Sequence, residues 1–214
     1  MPDYHPDMVD RPKTKLAGGL QREFGGLWTG VAPHYDAVPA GAPVPHEMRL
    51  CEAVARSFLH PVVVPAEKIG CPGARRALGL MDDDLALAER MSEKAGVAFD
   101  TLREALAETP SLATPPAAVS LAPDHDRPDV VVGYVQPEEA MSLLRRWQVS
   151  YGQVPAVPLS SFLAICAWVV VRAHKLDEIC MSLGCLDSRR FGGIASDTLV
   201  VGMPSARARQ MISR

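Results

Sequence analysis

"DVVVGYVQPEEAMSLLRRWQVS", Asp129 to Ser150, changes its periodicity in the middle. Up to Val135 it is a short β-branched run of the kind that forms a strand. From Pro137 it reads as a helix, with proline in the first turn, Glu138 and Glu139 beside it, and Arg145 and Arg146 later, where the helix dipole favours them. A strand that passes directly into a helix is the unit of an α/β protein.

The same grammar continues outward from this stretch. "AVSLAP" (118–123), "ICMSLG" (179–184) and "DTLVVGMP" (197–204) read as further strands, and "SARARQMISR" (205–214) as a closing helix. Between them, "PLSSFLAICAWVVVRAHKLDE" (158–178) is expected to be a helix beginning near Ser160, and "CLDSRRFGG" (185–193) a loop. Upstream of the break "TPSLATPPAA" (109–118) the pattern is helical. Met48, Leu50, Val54 and Phe58 recur near helical spacing and place Cys51 on a helix. Pro72 and Gly79 bracket another in "CPGARRALGL" (71–80), and Asp82–Met91 and Phe99–Glu108 follow, separated by a turn at Gly96. The first forty-six residues are rich in Gly and Pro, with one strand expected near Leu27–Val31. The expected architecture is a single α/β domain over 27–214, a mixed sheet with flanking helices, preceded by an irregular Gly/Pro-rich N-terminal segment and an extension at 1–26.

Composition narrows the function classes. The chain has 214 residues, 48% of them hydrophobic, enough for a sizeable core. A net charge of -3 with scattered arginines lacks the concentrated basic patch that nucleic acid requires. Small molecules or other proteins are the expected partners. The longest apolar run, Phe162–Val171, is too short to span a bilayer, and "MPDYHPDMVDRPKTK" carries acids and prolines where a signal peptide carries bases. A cytoplasmic protein with no membrane partner is therefore expected. Five cysteines in a reducing compartment do not make a disulfide framework, which leaves metal binding, thiol chemistry or burial.

Cys71 stands at the mouth of a helix and Cys185 directly after a strand, positions where α/β proteins bind anions. A thiolate there, close to Arg75, Arg76, Arg189 or Arg190, is expected to have a depressed pKa. "RLCEAVARS", "GCPGARRALG", "VSLAPDHDRPDVVVGYVQPEEAMSLLRRW", "LAICAWVVV", "MSLGCLDSRRFGG" and "TLVVGMP" together resemble the uncharacterised family catalogued as domain of unknown function 169, over about Leu27 to Met211. The resemblance puts cysteines at four matching places, Cys51, Cys71, Cys166 and Cys185, and so implies one shared site. Cys180 falls outside the pattern and reads as a core thiol. Trp168 stands where the resemblance leads one to expect a carboxylate, in Cys-Ala-Asp.

Soft thiolates select iron–sulfur clusters, zinc or cuprous ion. The chain has none of the close Cys-x-x-Cys pairs of structural zinc sites, and widely spaced single cysteines suit a cubane. Taken singly, Cys51 and Cys166 could be plain core, whereas Gly- and Arg-bearing loops are poor places to bury Cys71 and Cys185. Arg189 and Arg190 read either as solvated charges or as receivers of an anionic substrate. His34, His60, His125 and His174 earn no catalytic assignment, and the glycine pairs fit no phosphate loop.

These readings lead to a [4Fe-4S] cluster held by Cys51, Cys71, Cys166 and Cys185, with Arg189 and Arg190 at its open side facing an anionic small-molecule substrate. The expected protein is a redox enzyme, or an electron-transfer or accessory component served by an electron-donor protein; with one cysteine not a ligand, the open iron would instead act as a Lewis acid, as in a lyase. Zinc at the same cysteines, a metal-free cysteine enzyme with Cys71 or Cys185 as nucleophile, and a non-catalytic binding protein stay open as alternatives.

Overall fold

The computed structural model describes residues 15–39, 44, 46–82, 84–157 and 159–213. Along the chain run α1 (Leu16–Phe24), β1 (Leu27–His34), α2 (Leu50–Ser57), β2 (Val62–Pro65), α3 (Pro72–Ala77), α4 (Asp84–Ala95) and α5 (Phe99–Glu108). Then come β3 (Ala118–Ala122), β4 (Val130–Val135), α6 (Pro137–Tyr151), β5 (Leu159–Ser160), a π-helix (Ala164–Val171) and α7 (Arg172–Leu176). The chain closes with β6 (Cys180–Ser182), α8 (Leu186–Phe191), β7 (Leu199–Pro204) and α9 (Ser205–Ile212).

The strands form one mixed sheet in the order β2-β3-β1-β4-β7-β6-β5. Every pairing is antiparallel except that of β5 with β6. Strand alternation divides the core. Val130, Val132 and Tyr134 of β4 join one buried cluster with α2 and the π-helix, while Val131 and Val135 join another with α1, α6 and α9. Burial on both faces explains why β4 reads as a continuous apolar run.

The junction at Gln136 behaves as its residues suggest. Glu139 accepts the Gln136 N–H at 2.7 Å, completing a capping box, and its other oxygen accepts the Gly26 N–H at 2.9 Å. One carboxylate thus satisfies an orphan donor of α6 and ties the helix to the turn before β1.

Several elements differ from the sequence reading. Helix α1 lies within the stretch expected to be an irregular extension, and buries Leu16, Ala17, Leu20 and Phe24. Its apolar residues follow helical spacing, a pattern obscured by Gly18 and Gly19. Strand β2 was not expected, and pairs with β3 through only four residues. "LDSRRF" forms α8 and not a loop. The helix expected from near Ser160 is instead β5 followed by the π-helix, because Leu163 adopts a left-handed conformation (φ 43°, ψ 42°) that no continuous α-helix accommodates.

On the α1 side of the sheet lies a polar chain that sequence reasoning missed. His125 Nδ1 accepts the Arg127 N–H at 3.2 Å, which leaves the neutral ring's proton on Nε2 to donate to Ser120 Oγ at 2.8 Å. The Ser120 hydroxyl then donates to His34 Nε2 at 2.6 Å. Burial, and then the charge of His34, hold His125 below the ordinary imidazole value of 6.5, against the opposing pull of Asp126, Asp129 and Asp124. Between the lowered value and 6.5 the unfolded chain binds more protons than the folded one, so stability rises with pH through that window. The contribution is complete above 6.5 and is lost as pH falls through the folded value. Urea unfolding of the parent is therefore expected to show a larger loss of midpoint between about pH 7 and pH 5 than that of His125→Asn. Equal slopes would assign the acid sensitivity to other groups.

Among the described residues no helix is long and apolar enough to cross a membrane.

Candidate functional site

Cys51 and Cys71 are brought together before their helices begin. Met48 bridges Ile69, with the Met48 N–H donating to the Lys68 carbonyl at 2.8 Å and the Gly70 N–H to the Met48 carbonyl at 3.0 Å. This clamp lines up the N-terminus of α2, whose second residue is Cys51, with that of α3, whose N-cap is Cys71. Pro72 opens α3 with a φ already suited to the helix, and the N–H groups of Gly73 and Ala74 face the Cys71 sulfur without closing a cap hydrogen bond.

Cys166 arrives from the π-helix. Its wide turn begins where the Ala167 and Trp168 N–H groups share the Leu163 carbonyl, at 3.0 and 3.2 Å, and the Cys166 thiol donates to the same oxygen at 3.5 Å. Strained residues and π-turns concentrate at functional sites, and here both occur within three residues of a cysteine. Leu163 also packs on α3: a Cβ on Gly73 would come within 2.3 Å of Leu163 Cδ2.

Cys185 caps α8. Its sulfur accepts the Ser188 N–H at 3.4 Å, and Ser188 Oγ accepts the Cys185 N–H at 2.6 Å, a reciprocal cap built on a thiol. The Cys51 thiol donates to the Asp187 carbonyl of the same helix at 3.9 Å. Thus α2 docks on α8, α3 docks on the π-helix, and the thiols of four elements lie near enough to act on one another electrostatically.

Their electrostatics reflect that proximity. Burial first, and then Cys185 and Cys71, push the Cys51 thiol up to about 12. Burial raises Cys166 well above the ordinary value, and Cys71, Cys185 and Cys51 each add to the shift. Cys71 is raised too, chiefly by burial. The depressed thiolate expected at this helix mouth is thereby corrected: desolvation outweighs the helix terminus.

The arginines expected to lower it are engaged elsewhere. Arg76 pairs with Asp84 at 2.9 Å and donates to the carbonyls of Leu106 and Thr109, and Arg75 reaches the Leu80 carbonyl at 3.5 Å. Arg189 donates to the Ala195 carbonyl at 2.8 Å, and Arg190 lies 5.2 Å over the Phe191 ring.

The cation that acts on Cys51 and Cys71 is Arg49, which the sequence reading missed. Its guanidinium lies 4.2 Å from the centroid of the Phe191 ring, which Arg190 also approaches. Its Nε stands 3.7 Å from Asp187 Oδ2, an ion pair too long for a hydrogen bond, and Lys94 holds the other Asp187 oxygen at 2.8 Å. Tyr134 was missed as well. Its hydroxyl is buried beside Cys51 and Cys185 without a hydrogen-bond partner, and Phe58 meets its ring edge-on at 4.8 Å. The available signals were slight: Arg49 lies two residues before Cys51, and Tyr134 is the one polar tip in "VVVGYV".

Cys180 stands apart, buried in β6 among Arg172 and Glu178, as expected of a core thiol. The place of the expected carboxylate is taken by Trp168, whose ring carries the Arg172 guanidinium at 4.9 Å. Among the described residues no three His, Cys, Asp or Glu side chains gather tightly enough for one metal ion. Four sulfurs around a tetrahedral zinc stand about 3.8 Å apart, given a Zn–S bond of about 2.3 Å.

Comparison with known proteins finds the model of one family, DUF169, described as an uncharacterised ArCR, matching residues 28–214. No curated protein and no solved structure matches the chain.

Proposed function

We propose, for a chain that belongs to the DUF169 family over residues 28–214, that it is an iron–sulfur protein whose Cys51, Cys71, Cys166 and Cys185 hold a [4Fe-4S] cluster. The observation that carries this reading is that four free, buried or half-buried thiols from α2, α3, the π-helix and α8 act on one another electrostatically. Soft sulfur donors from four separate elements, with no Cys-x-x-Cys pair and, among the described residues, no set tight enough for one metal ion, fit iron–sulfur chemistry. When bound, the cluster supplies one-electron transfer to or from a small molecule or a protein.

The chain's own residues supply the rest. Burial of Cys51 and Cys166 keeps water from two of the four sulfurs, while the partly exposed Cys71 and Cys185 define the approach side. There Arg49 and Arg190 flank Phe191 and would receive an anionic substrate, while Arg189, folded onto the Ala195 carbonyl, would brace the turn after α8. An electron-donor protein would approach from the same side in a reducing cytoplasm. Loading requires the thiols to lose their protons, so uptake of iron and sulfide releases acid. The raised Cys71 thiol weighs against that residue as a metal-free nucleophile, which must ionise near neutrality.

The test is anaerobic purification and reconstitution. The expected result is brown protein with about four irons per chain and broad visible absorbance that bleaches with dithionite. Colourless, iron-free protein overturns the reading, and stoichiometric zinc in its place would favour a structural metal.

A further inference from the structure

Among the described residues four buried side-chain polar atoms lack a hydrogen-bond partner: Arg49 Nε, Tyr134 Oη, Ser150 Oγ and Arg172 Nε. The first two belong to the cysteine site. Buried hydroxyls in folded proteins are nearly always satisfied, so one left open beside Cys51 and Cys185 points to a partner supplied from outside the chain.

Tyr134 is the sharper case, being only 8% exposed. The edge-on contact with Phe58 fixes its ring, and the end of α8 closes over its hydroxyl. A Cβ on Gly192 would lie 3.0 Å from that oxygen and 3.1 Å from the Cys51 carbonyl, so no side chain fits between them. A tyrosine phenol carries its proton at neutral pH, which makes it a donor. What the enclosed hydroxyl lacks is an acceptor. The thiols of Cys51 and Cys166 spend their own hydrogens on the carbonyls of Asp187 and Leu163. Once such sulfurs are anionic ligands, they and the sulfides they surround become strong acceptors.

We infer that the Tyr134 hydroxyl donates a hydrogen bond to sulfur of the group held by the four cysteines, and thereby sets how readily that group accepts an electron. The inference rests on the iron–sulfur reading above. A hydrogen bond to sulfur offsets negative charge, and it does so more strongly in the reduced state, which carries one charge more. Tyr134 therefore raises the reduction potential. It is a positioning and tuning residue and touches no substrate.

The experiment is a redox titration, followed by electron paramagnetic resonance, of anaerobically reconstituted parent and Tyr134→Phe. The expected result is equal iron content and visible absorbance with a lower potential in the variant. The unloaded proteins should differ in the opposite sense: removing the unpaired hydroxyl leaves the melting temperature of unloaded Tyr134→Phe equal to or above that of the unloaded parent, by up to a few degrees. Iron-loaded parent and variant with the same potential overturn the inference and leave the cluster reading standing. A parent that takes up no iron overturns both. Should Tyr134→Phe not fold, 3-fluorotyrosine at every tyrosine keeps the ring in place and donates more strongly, so the potential should rise, and an unchanged potential again overturns the inference.

Discussion

Cys71→Ser and Cys185→Ser are each expected to fall from about four irons per chain to less than about one, while Cys180→Ala keeps the parent's content. Serine at position 71 or 185 retains the size of the cap residue but offers a hydroxyl, which stays protonated at neutral pH and competes poorly for iron. It is also a good N-cap, so the helices need not suffer: a serine accepts the N–H of N2 or N3 as well as a thiol does. Cys180 is the control because its thiol points toward Glu178, with Arg172 as its neighbouring charge and none of the other four cysteines acting on it. Alanine is the better replacement there, since serine would bury a hydroxyl and alanine only removes volume, at about 1–3 kcal/mol. Iron and sulfide content with far-ultraviolet circular dichroism separates the cases. Loss of iron from all three variants with intact dichroism would mean that the four-cysteine assignment is wrong.

The second large effect is expected at Gly202, which lies outside the four-cysteine set. A Cβ there would stand 2.4 Å from Val169 Cγ1 and 2.9 Å from the Val169 carbonyl oxygen, so β7 and the π-helix are in backbone contact through this glycine. Side-chain rotation could relieve the first clash but not the second. Gly202→Ala should therefore cost about 1–3 kcal/mol as overpacking. It should also push the π-helix outward together with Cys166, three residues before Val169, and so reduce cluster retention. The paired readout is a urea midpoint and the rate of bleaching in air. A variant that unfolds earlier but keeps its iron as long as the parent would show that Cys166 is held independently of the sheet.

The strand-to-helix unit at Asp129–Ser150 was legible because burial on both faces, a capping residue and a helix-starting proline all lie within one short stretch. The same holds for α2, α3, α5, β7 and α9, where local chemistry and tertiary packing agree. Elsewhere the deciding interaction is remote. Nothing near Leu163 announces a left-handed residue, because what holds it is its packing against Gly73 of α3. Cys185 conceals the start of α8, since a thiol is an unusual cap and "SRRFGG" carries the composition of a loop. Strand β2 exists through its pairing with β3, and its four residues have little periodicity to offer. At the site, the cysteines were legible as a set through resemblance. Their environment was not, because Arg49 and Arg75 look alike in sequence, and only the fold turns one toward the sulfurs and the other toward a carbonyl.

The bridge between Met48 and Ile69 and the cap on α8 bring cysteines far apart in sequence within electrostatic reach of one another. Whatever joins Cys51 to Cys185 closes a loop containing most of the sheet, so it restricts the unfolded chain much as a long-range crosslink does. Binding to the native state alone adds to stability with the logarithm of ligand concentration over its dissociation constant. Under the proposed assignment, newly made protein in an iron-starved cell would open more often and meet proteases sooner than loaded protein, so its half-life would report the supply of iron and sulfide. Pulse-chase decay, with and without an iron chelator, would read that coupling directly in abundance.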